Sequence, residues 1–249
     1  MGRIIGFIPA RSGSQRIQDK NITMLRGNPL LSYTVNAAIE SKILDAVFCI
    51  TDSKEYMDIA CCYGASPFEL RPSEISSSHS PDIEWLLWAL ELLPEKSPND
   101  TVVILRPTSP LRSSNLIRAV VEKFLRLKNR VDSVRTVSPV TEHPGKMWRM
   151  TGDVMVPLLP FSNELAPWHS SQKISLPEVF IQNACIEVSD VESVLRTKSI
   201  AGNVVAPYKM TGLEAFDLNE PIDLLFMEFL VQEGQIYLEE PVCRNGPQF

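Results

Sequence analysis

Between Ala10 and Asn21 the chain sets three cations, Arg11, Arg16 and Lys20, around the small residues Ser12, Gly13 and Ser14. A polyphosphate requires fixed positive charge and backbone N–H groups that side chains do not obstruct. This stretch offers both, and Gly13 can take a positive φ if the turn needs one. It follows the apolar run Ile4 to Ala10, so a buried strand feeds a cationic loop. Neither GxGxxG nor GxxxxGK[ST] occurs, which disfavours a dinucleotide-dependent hydride transfer and a P-loop ATPase. The competing reading is a solvated basic loop after an edge strand, and composition alone leaves the two about even. Arg16 reads as a solvated loop residue.

Four further motifs follow predicted strands, where open parallel sheets place their ligands. They are Thr51-Asp52-Ser53, Leu70-Arg71-Pro72, the loop Leu105 to Arg112 and the segment Phe216 to Asp223. Pro107 and Pro110 stiffen the third, which is expected to display Arg106, Thr108, Ser109 and Arg112. In the fourth, alternation puts Asp217 and Asn219 on one face of an extended segment. Two oxygen ligands so placed suit Mg²⁺ held jointly with substrate phosphates. Asp52 is either a helix cap or a ligand contact, and Asp223 belongs to the first turn of a last helix.

The elements that must carry these loops alternate. Strands are expected at 4–10, 46–51, 101–105 and 133–137, with helices over 30–41, 54–63, 82–93 and 115–127. Ser53, Pro81-Asp82 and Ser113-Ser114 supply helix starts. This pattern predicts an α/β fold with a mostly parallel sheet flanked by helices. Trp85 and Trp88 read as core. Residues 138–176 break the alternation with five prolines, two tryptophans and two of the three histidines. Met147, Trp148, Val154, Met155, Val156, Leu158 and Leu159 there need burial against something, and a second subunit would serve. His169 reads as a surface residue, His143 as one equally open to a functional role. A strand pair at 179–188 and an amphipathic segment at 221–231 return the chain to the sheet. The division is therefore 1–137 plus 177–240 as core, 138–176 as a small insertion and 241–249 as a frayed tail.

At 249 residues, 44% hydrophobic and 22% charged, the composition is that of an ordinary globular chain. A net charge of -6 and a pI near 5.2 argue against a sequence-independent hold on nucleic acid. No apolar run is long enough to span a membrane, and Pro9 and Arg11 interrupt any leader-like stretch, so a cytoplasmic location is expected. Cys49, Cys61, Cys62, Cys185 and Cys243 lack CxxC spacing and read as reduced, mostly buried thiols.

Five segments in order, IPARSGSQRIQDKN, LRPTSPLR, TEHPGKMW, LPEVFIQNACIEV and FDLNEPID, resemble the motifs of the acylneuraminate cytidylyltransferases. Those enzymes make CMP-sialic acid and relatives such as CMP-pseudaminic and CMP-legionaminic acid. The likeness runs from Ile4 to about Glu228. The first motif is shared loosely with deoxyoctulosonate cytidylyltransferases, whereas PTSPLR and the HPxKMW segment point to the sialate branch. The resemblance implies a nucleotidyltransferase fold and transfer of CMP from CTP to the anomeric hydroxyl of a nonulosonic acid, with release of pyrophosphate. It implies that Arg11 and Lys20 bind the CTP phosphates within a nucleotide loop of Ala10, Arg11, Ser12, Gly13, Lys20 and Asn21. Asn21 would bind the nucleoside, Arg71 the cytosine region with Ser80 nearby, and Asp217, with Asn219, the Mg²⁺ that bridges the phosphates. Arg11, Lys20 and Asp217 would be catalytic, while Arg106, Thr108, Ser109, Lys173 and Asn183 would meet the sugar acid. Residues 138–176 would form the small dimerisation domain, making the protein a homodimer.

The chain departs from that pattern chiefly on the sugar side. Arg106 replaces a glutamine, Lys173 an arginine and Ile181 another arginine, Ala184 a glycine after Asn183, and Glu187 a tyrosine. Arg106 is a candidate to hold the sugar carboxylate in place of the missing arginines. Asn219 replaces a second aspartate and Ser78 another. Two rivals therefore stand beside the leading reading: a nucleotidyltransferase for another base or sugar, and a CTP-binding protein without turnover.

Overall fold

The computed structural model describes residues 2–246. In chain order the elements are β1 Ile4–Pro9, β2 Met24–Leu25, β3 Asn28–Pro29, α1 Leu30–Glu40, β4 Ala46–Ile50, α2 Lys54–Cys62, α3 Asp82–Leu92 and β5 Thr101–Leu105. There follow α4 Ser114–Leu127, β6 Ser133–Pro139, β7 Trp148–Thr151, β8 Val154–Pro157, β9 Phe180–Asp190, α5 Val191–Thr197, β10 Val205–Lys209 and α6 Pro221–Gln232. Six strands form one sheet in the order β10-β6-β9-β5-β1-β4. β1 pairs parallel with β4 and β5, and β6 with β10, while β9 runs antiparallel to β5 and β6. The sheet is mostly parallel, as the alternation required.

Period-two burial explains the layers. Ile8, Val47, Cys49, Val103 and Leu105 point to the face covered by α1, α2 and α4. Ile5, Phe7, Ile50, Val102 and Ile104 point to the opposite face, where α3 and α5 supply Trp85, Leu86, Val191 and Val194. A strand buried on both faces reads as a continuous apolar run, which is the pattern of β1 and β5. Ser53 and Ser113 cap α2 and α4, accepting from Tyr56 N at 3.4 Å and Leu116 N at 3.2 Å. Trp85 is fully buried and Trp88 packs beside it.

Several expectations are revised. The segment expected as a strand pair is the single strand β9, because both of its edges find partners in β5 and β6. The elements α5 and β10 were not anticipated; β10 is an edge strand carrying Pro207, a position the ladder tolerates. Cys62 and Cys243 are joined in a disulfide, so only Cys49, Cys61 and Cys185 are free thiols. The cysteines lie 181 residues apart in sequence, and no local spacing signals such a pair. The tail to residue 246 is not frayed: Arg244 reaches Tyr63 O, Asn36 and Glu40, and Asn245 bonds Cys61 O and Cys62 O. The rest of the expected tail, 247–249, lies outside the described residues.

The insertion holds the β7–β8 hairpin, where Met147, Trp148, Val154, Met155, Val156 and Leu158 are exposed and Met150 is 80% exposed, while Leu159 is partly buried. His143 is interior: its Nδ1 accepts from Gly145 N at 2.9 Å, its Nε2 lies 3.0 Å from Pro177 O, and Trp168 packs on its edge. It holds the insertion together and its ring nitrogens are both occupied. His169 lies against Trp148. Among the described residues no helix is long and apolar enough to cross a membrane.

Candidate active site

A cleft of about 390 Å³ opens at the ends of β1 and β5. Its walls include Arg11, Lys20, Asn21, Arg71, Arg106 and Thr108, and Asn219 closes one side. The loops meet there because the parallel strands β1, β4 and β5 end on the same side of the sheet.

Fixed hydrogen bonds shape the cationic loop. Asp52, at the end of β4, accepts from Ser12 N at 2.7 Å and Ser12 Oγ at 2.8 Å. Asp52 is thus neither the helix cap, which is Ser53, nor a lining group; it anchors the loop. Asn21 Nδ2 donates to Arg11 O at 3.0 Å and Gly13 takes φ +68°, completing the turn. Lys20 Nζ donates to Leu218 O at 3.1 Å, and Leu218 N donates to Thr108 O at 2.8 Å. One residue's backbone therefore ties together the cationic loop, the proline-stiffened loop and the Asp217 segment. Burial pushes the Lys20 ammonium below its ordinary value, against the opposing pull of the Asp217 charge.

Arg71 is buried, with its backbone N–H on Thr51 O and its guanidinium on Ile75 O, and burial lowers its pKa. Arg112 was expected on display but is buried, spanning Arg106 O at 3.0 Å, Cys185 O at 2.7 Å and Thr34 Oγ1 at 2.6 Å. It fixes the loop that carries Arg106. Arg106 Nη2 pairs with Asp82 Oδ2 at 2.6 Å and Glu187 Oε2 at 3.1 Å, and Glu187 Oε1 pairs with Arg135 at 2.5 Å. Burial opposes the Arg106 charge, but Glu187 and Asp82 outweigh it and raise its pKa. The sequence marks Asp82 only as a helix start and Glu187 only as a departure on the sugar side; the structure joins both to Arg106.

Asp217 Oδ2 accepts from Asn219 Nδ2 at 2.6 Å, while Asp217 Oδ1 is buried without a hydrogen-bond partner among the described residues. Such an orphaned carboxylate oxygen is chemically suited to a cation. Among those residues no cluster of three or more His, Cys, Asp or Glu is placed to hold a metal alone. A hard cation here would take Asp217 together with phosphate oxygens. Asp223 caps α6 with Glu220, accepting from Asn219 N at 2.8 Å. Arg16 is exposed on the cleft rim and pairs with Glu220.

Other candidates lie off the cleft walls. Ala10 is buried under the loop, Ser12 is taken by Asp52, Gly13 faces outward and Ser109 is buried. Ser80 bonds Ser77, while Ser78, two residues before it, lines the cleft. Lys173 Nζ is held by Val140 O and Thr141 O beside a separate depression. Asn183 sits inside β9, accepting from Thr136 Oγ1 at 2.6 Å and donating to Ser138 Oγ at 2.7 Å. Side chains already committed to local partners explain both absences.

Residues 5–151 match the model of the family described as cytidylyltransferase. The chain is 30% identical over 237 residues to CMP-N,N'-diacetyllegionaminic acid synthase of Legionella pneumophila, covering 94% of this chain and 98% of that protein. It is 30% identical to N-acylneuraminate cytidylyltransferase of Escherichia coli over 89% of this chain, but spans only 50% of that longer protein. A solved CMP:2-keto-3-deoxy-manno-octonic acid synthetase complexed with CTP superposes with a TM-score of 0.66 at 12% identity, covering 94% of this chain and 100% of that one. The last shares the nucleotidyltransferase fold. With the strand-end cleft and the ordered motifs, the family match makes this chain a member of the cytidylyltransferase family.

Proposed function

We propose that the protein transfers CMP from CTP to the anomeric hydroxyl of a nonulosonic, sialic acid-like sugar acid and releases pyrophosphate. The observation that carries this reading is the convergence of Arg11, Lys20, Asn21, Arg71 and Arg106 on one cleft. The hydroxyl oxygen forms a bond to the α-phosphorus, the bond from that phosphorus to the β-phosphate oxygen breaks, and the hydroxyl proton passes to solvent. Phosphoryl transfer of this kind depends on positioning and on charge stabilisation. Arg11 and Lys20 would hold the triphosphate, Asn21 and Arg71 the nucleoside, and Arg106 and Thr108 the sugar acid. Asp217 would hold Mg²⁺, which when bound neutralises charge on the phosphates. CTP supply favours a cytoplasmic location, and the Cys62–Cys243 disulfide, rare in that reducing compartment, argues against it.

The apolar hairpin of the insertion supports a homodimer, since a second copy would cover Trp148, Met150 and Met155. Pyrophosphate release from CTP across a panel of nonulosonic acids with Mg²⁺ tests the reaction, and none from folded protein overturns it. Thermal shifts with CTP, UTP, GTP and ATP separate another base preference. Asp217→Ala is expected to weaken the Mg²⁺ dependence; a wild-type metal response would move the metal elsewhere. A second reading, CTP binding without turnover, draws on the Asn219 amide bonded to Asp217, and measurable turnover eliminates it.

A further inference from the structure

Arg106 presents one nitrogen, Nη2, to two carboxylates of very different burial. The Glu187 side chain is 2% exposed and is held at its other oxygen by Arg135. Gln182 Nε2 also lies 3.4 Å from that oxygen. Withdrawing Glu187 would leave the Arg135 guanidinium, 12% exposed, without its carboxylate and Arg106 with Asp82 alone, a costly arrangement. The Asp82 side chain is 40% exposed and lines the cleft. It stands in the first turn of α3, where the helix dipole favours its charge, and Trp85 Nε1 donates to its other oxygen at 2.9 Å. Asp82 keeps these partners without Arg106, and partly exposed ion pairs exchange at little cost. Arg106 Nε is buried with no hydrogen-bond partner among the described residues, so the guanidinium has a neutralised charge but an unfilled set of donors.

We propose that Asp82 is a built-in carboxylate that occupies Arg106 in the free protein and is displaced by the carboxylate of the sugar acid, while Glu187, fixed by Arg135, is the positioning residue that keeps the guanidinium in the cleft wall. This rests on the reading of the substrate as a sugar acid. Asp82 then sets the affinity for the acid by competing for the same nitrogen, and Glu187 sets the geometry of the fork. The two acidic neighbours of one arginine therefore have opposite effects on one substrate.

The test is the pair of Michaelis constants, for sugar acid and for CTP, measured by pyrophosphate release. Asp82→Asn retains an oxygen for Trp85 and removes the competing charge. It is expected to lower KM for the sugar acid about two- to fivefold, the worth of a partly exposed ion pair, with KM for CTP unchanged. Glu187→Gln is expected to raise the sugar-acid KM at least about tenfold, with a smaller change for CTP. If Glu187→Gln does not fold, Asp82→Asn alone decides. An unchanged or raised sugar-acid KM in Asp82→Asn, with wild-type enzyme turning over, overturns the inference. Wild-type protein that binds CTP but releases no pyrophosphate with any such acid overturns the functional reading, and this inference with it.

Discussion

Glu187 lies 3.1 Å from Arg106 and 2.5 Å from Arg135, a buried anion shared by two cations of neighbouring strand and loop. Arg106 and Glu187 both fall where the chain departs from the motifs it resembles, and in the structure they pair with each other. Breaking a buried pair from one side leaves an unpaired charge, so Glu187→Gln should cost about 3 kcal/mol or more. Arg106→Gln should cost less, because Asp82 is partly solvated and Arg135 remains with Glu187. The double variant should be less destabilised than the sum of the two by at least about 1 kcal/mol. Urea unfolding of the four proteins measures this, and additive losses would show the pair to be uncoupled.

Lys20 is a different kind of residue, half-buried, with one hydrogen bond to Leu218 O. Loss of that bond should cost stability only about 1 kcal/mol. Removing a preorganised cation from the phosphates should cost about 10²- to 10³-fold in kcat/KM for CTP. Lys20→Ala therefore separates activity from stability. Wild-type kinetics in a folded Lys20→Ala protein would remove the lysine from the site.

The sequence made the architecture legible because strands buried on both faces and helices capped by serine leave local signatures, as in β1, β5, α2 and α4. The gathering of Arg11, Lys20 and Asn21 on one cleft was equally legible, because they are close in sequence and close in space. What stayed hidden depends on contacts between distant residues. Asp52 anchors Ser12 across forty positions, Asp82 and Glu187 meet on Arg106 from α3 and β9, and Arg112 turns inward although its loop chemistry suggests display. A motif specifies residue types at a spacing, but whether a lysine such as Lys173 is free or already bonded is decided by the fold.

Asp132 joins β6 to the chain before β10 and to α5. Its carboxylate accepts from Asn203 N at 2.7 Å, Val204 N at 2.9 Å and Ser193 Oγ at 2.9 Å, and pairs with Arg196. The Val204 N–H, with these other donors and against the cost of burial, brings its pKa down to about 2. A depressed carboxylate stabilises the fold fully above its unfolded value of about 3.9 and loses that contribution as pH falls through the folded value. The stability advantage of wild type over Asp132→Asn should therefore be constant above about pH 5 and disappear between about pH 4 and pH 2. A pH-independent difference would assign the effect to packing instead.

The Cys62–Cys243 disulfide closes most of the chain into one loop and fastens the tail to α2. Restricting so long a loop in the unfolded chain is worth about 5 kcal/mol in the chain-entropy picture, above the roughly 2–4 kcal/mol typical of disulfides. Reductant should lower the urea midpoint of wild type, whereas Cys243→Ser should start at the lower value and not respond. Equal midpoints with and without reductant would mean that the tail is held by Arg244 and Asn245 without the sulfur bridge.

Ala184 adopts φ +53° at the point where β9 loses register with β6, between the Arg135–Glu187 and Val137–Gln182 pairs. Thr136 fills the gap, donating to Asn183 Oδ1 and accepting from Ile186 N. The left-handed region costs a residue with a Cβ about 1–2 kcal/mol, and glycine is free of that cost. Glycine also raises the entropy of the unfolded chain, which returns about 0.4–1 kcal/mol of the gain. Ala184→Gly should therefore stabilise the protein by about 0.5–1 kcal/mol. The measurement is a urea midpoint that moves up with an unchanged slope. A downward shift would mean that the Ala184 methyl contributes packing worth more than the backbone strain it imposes.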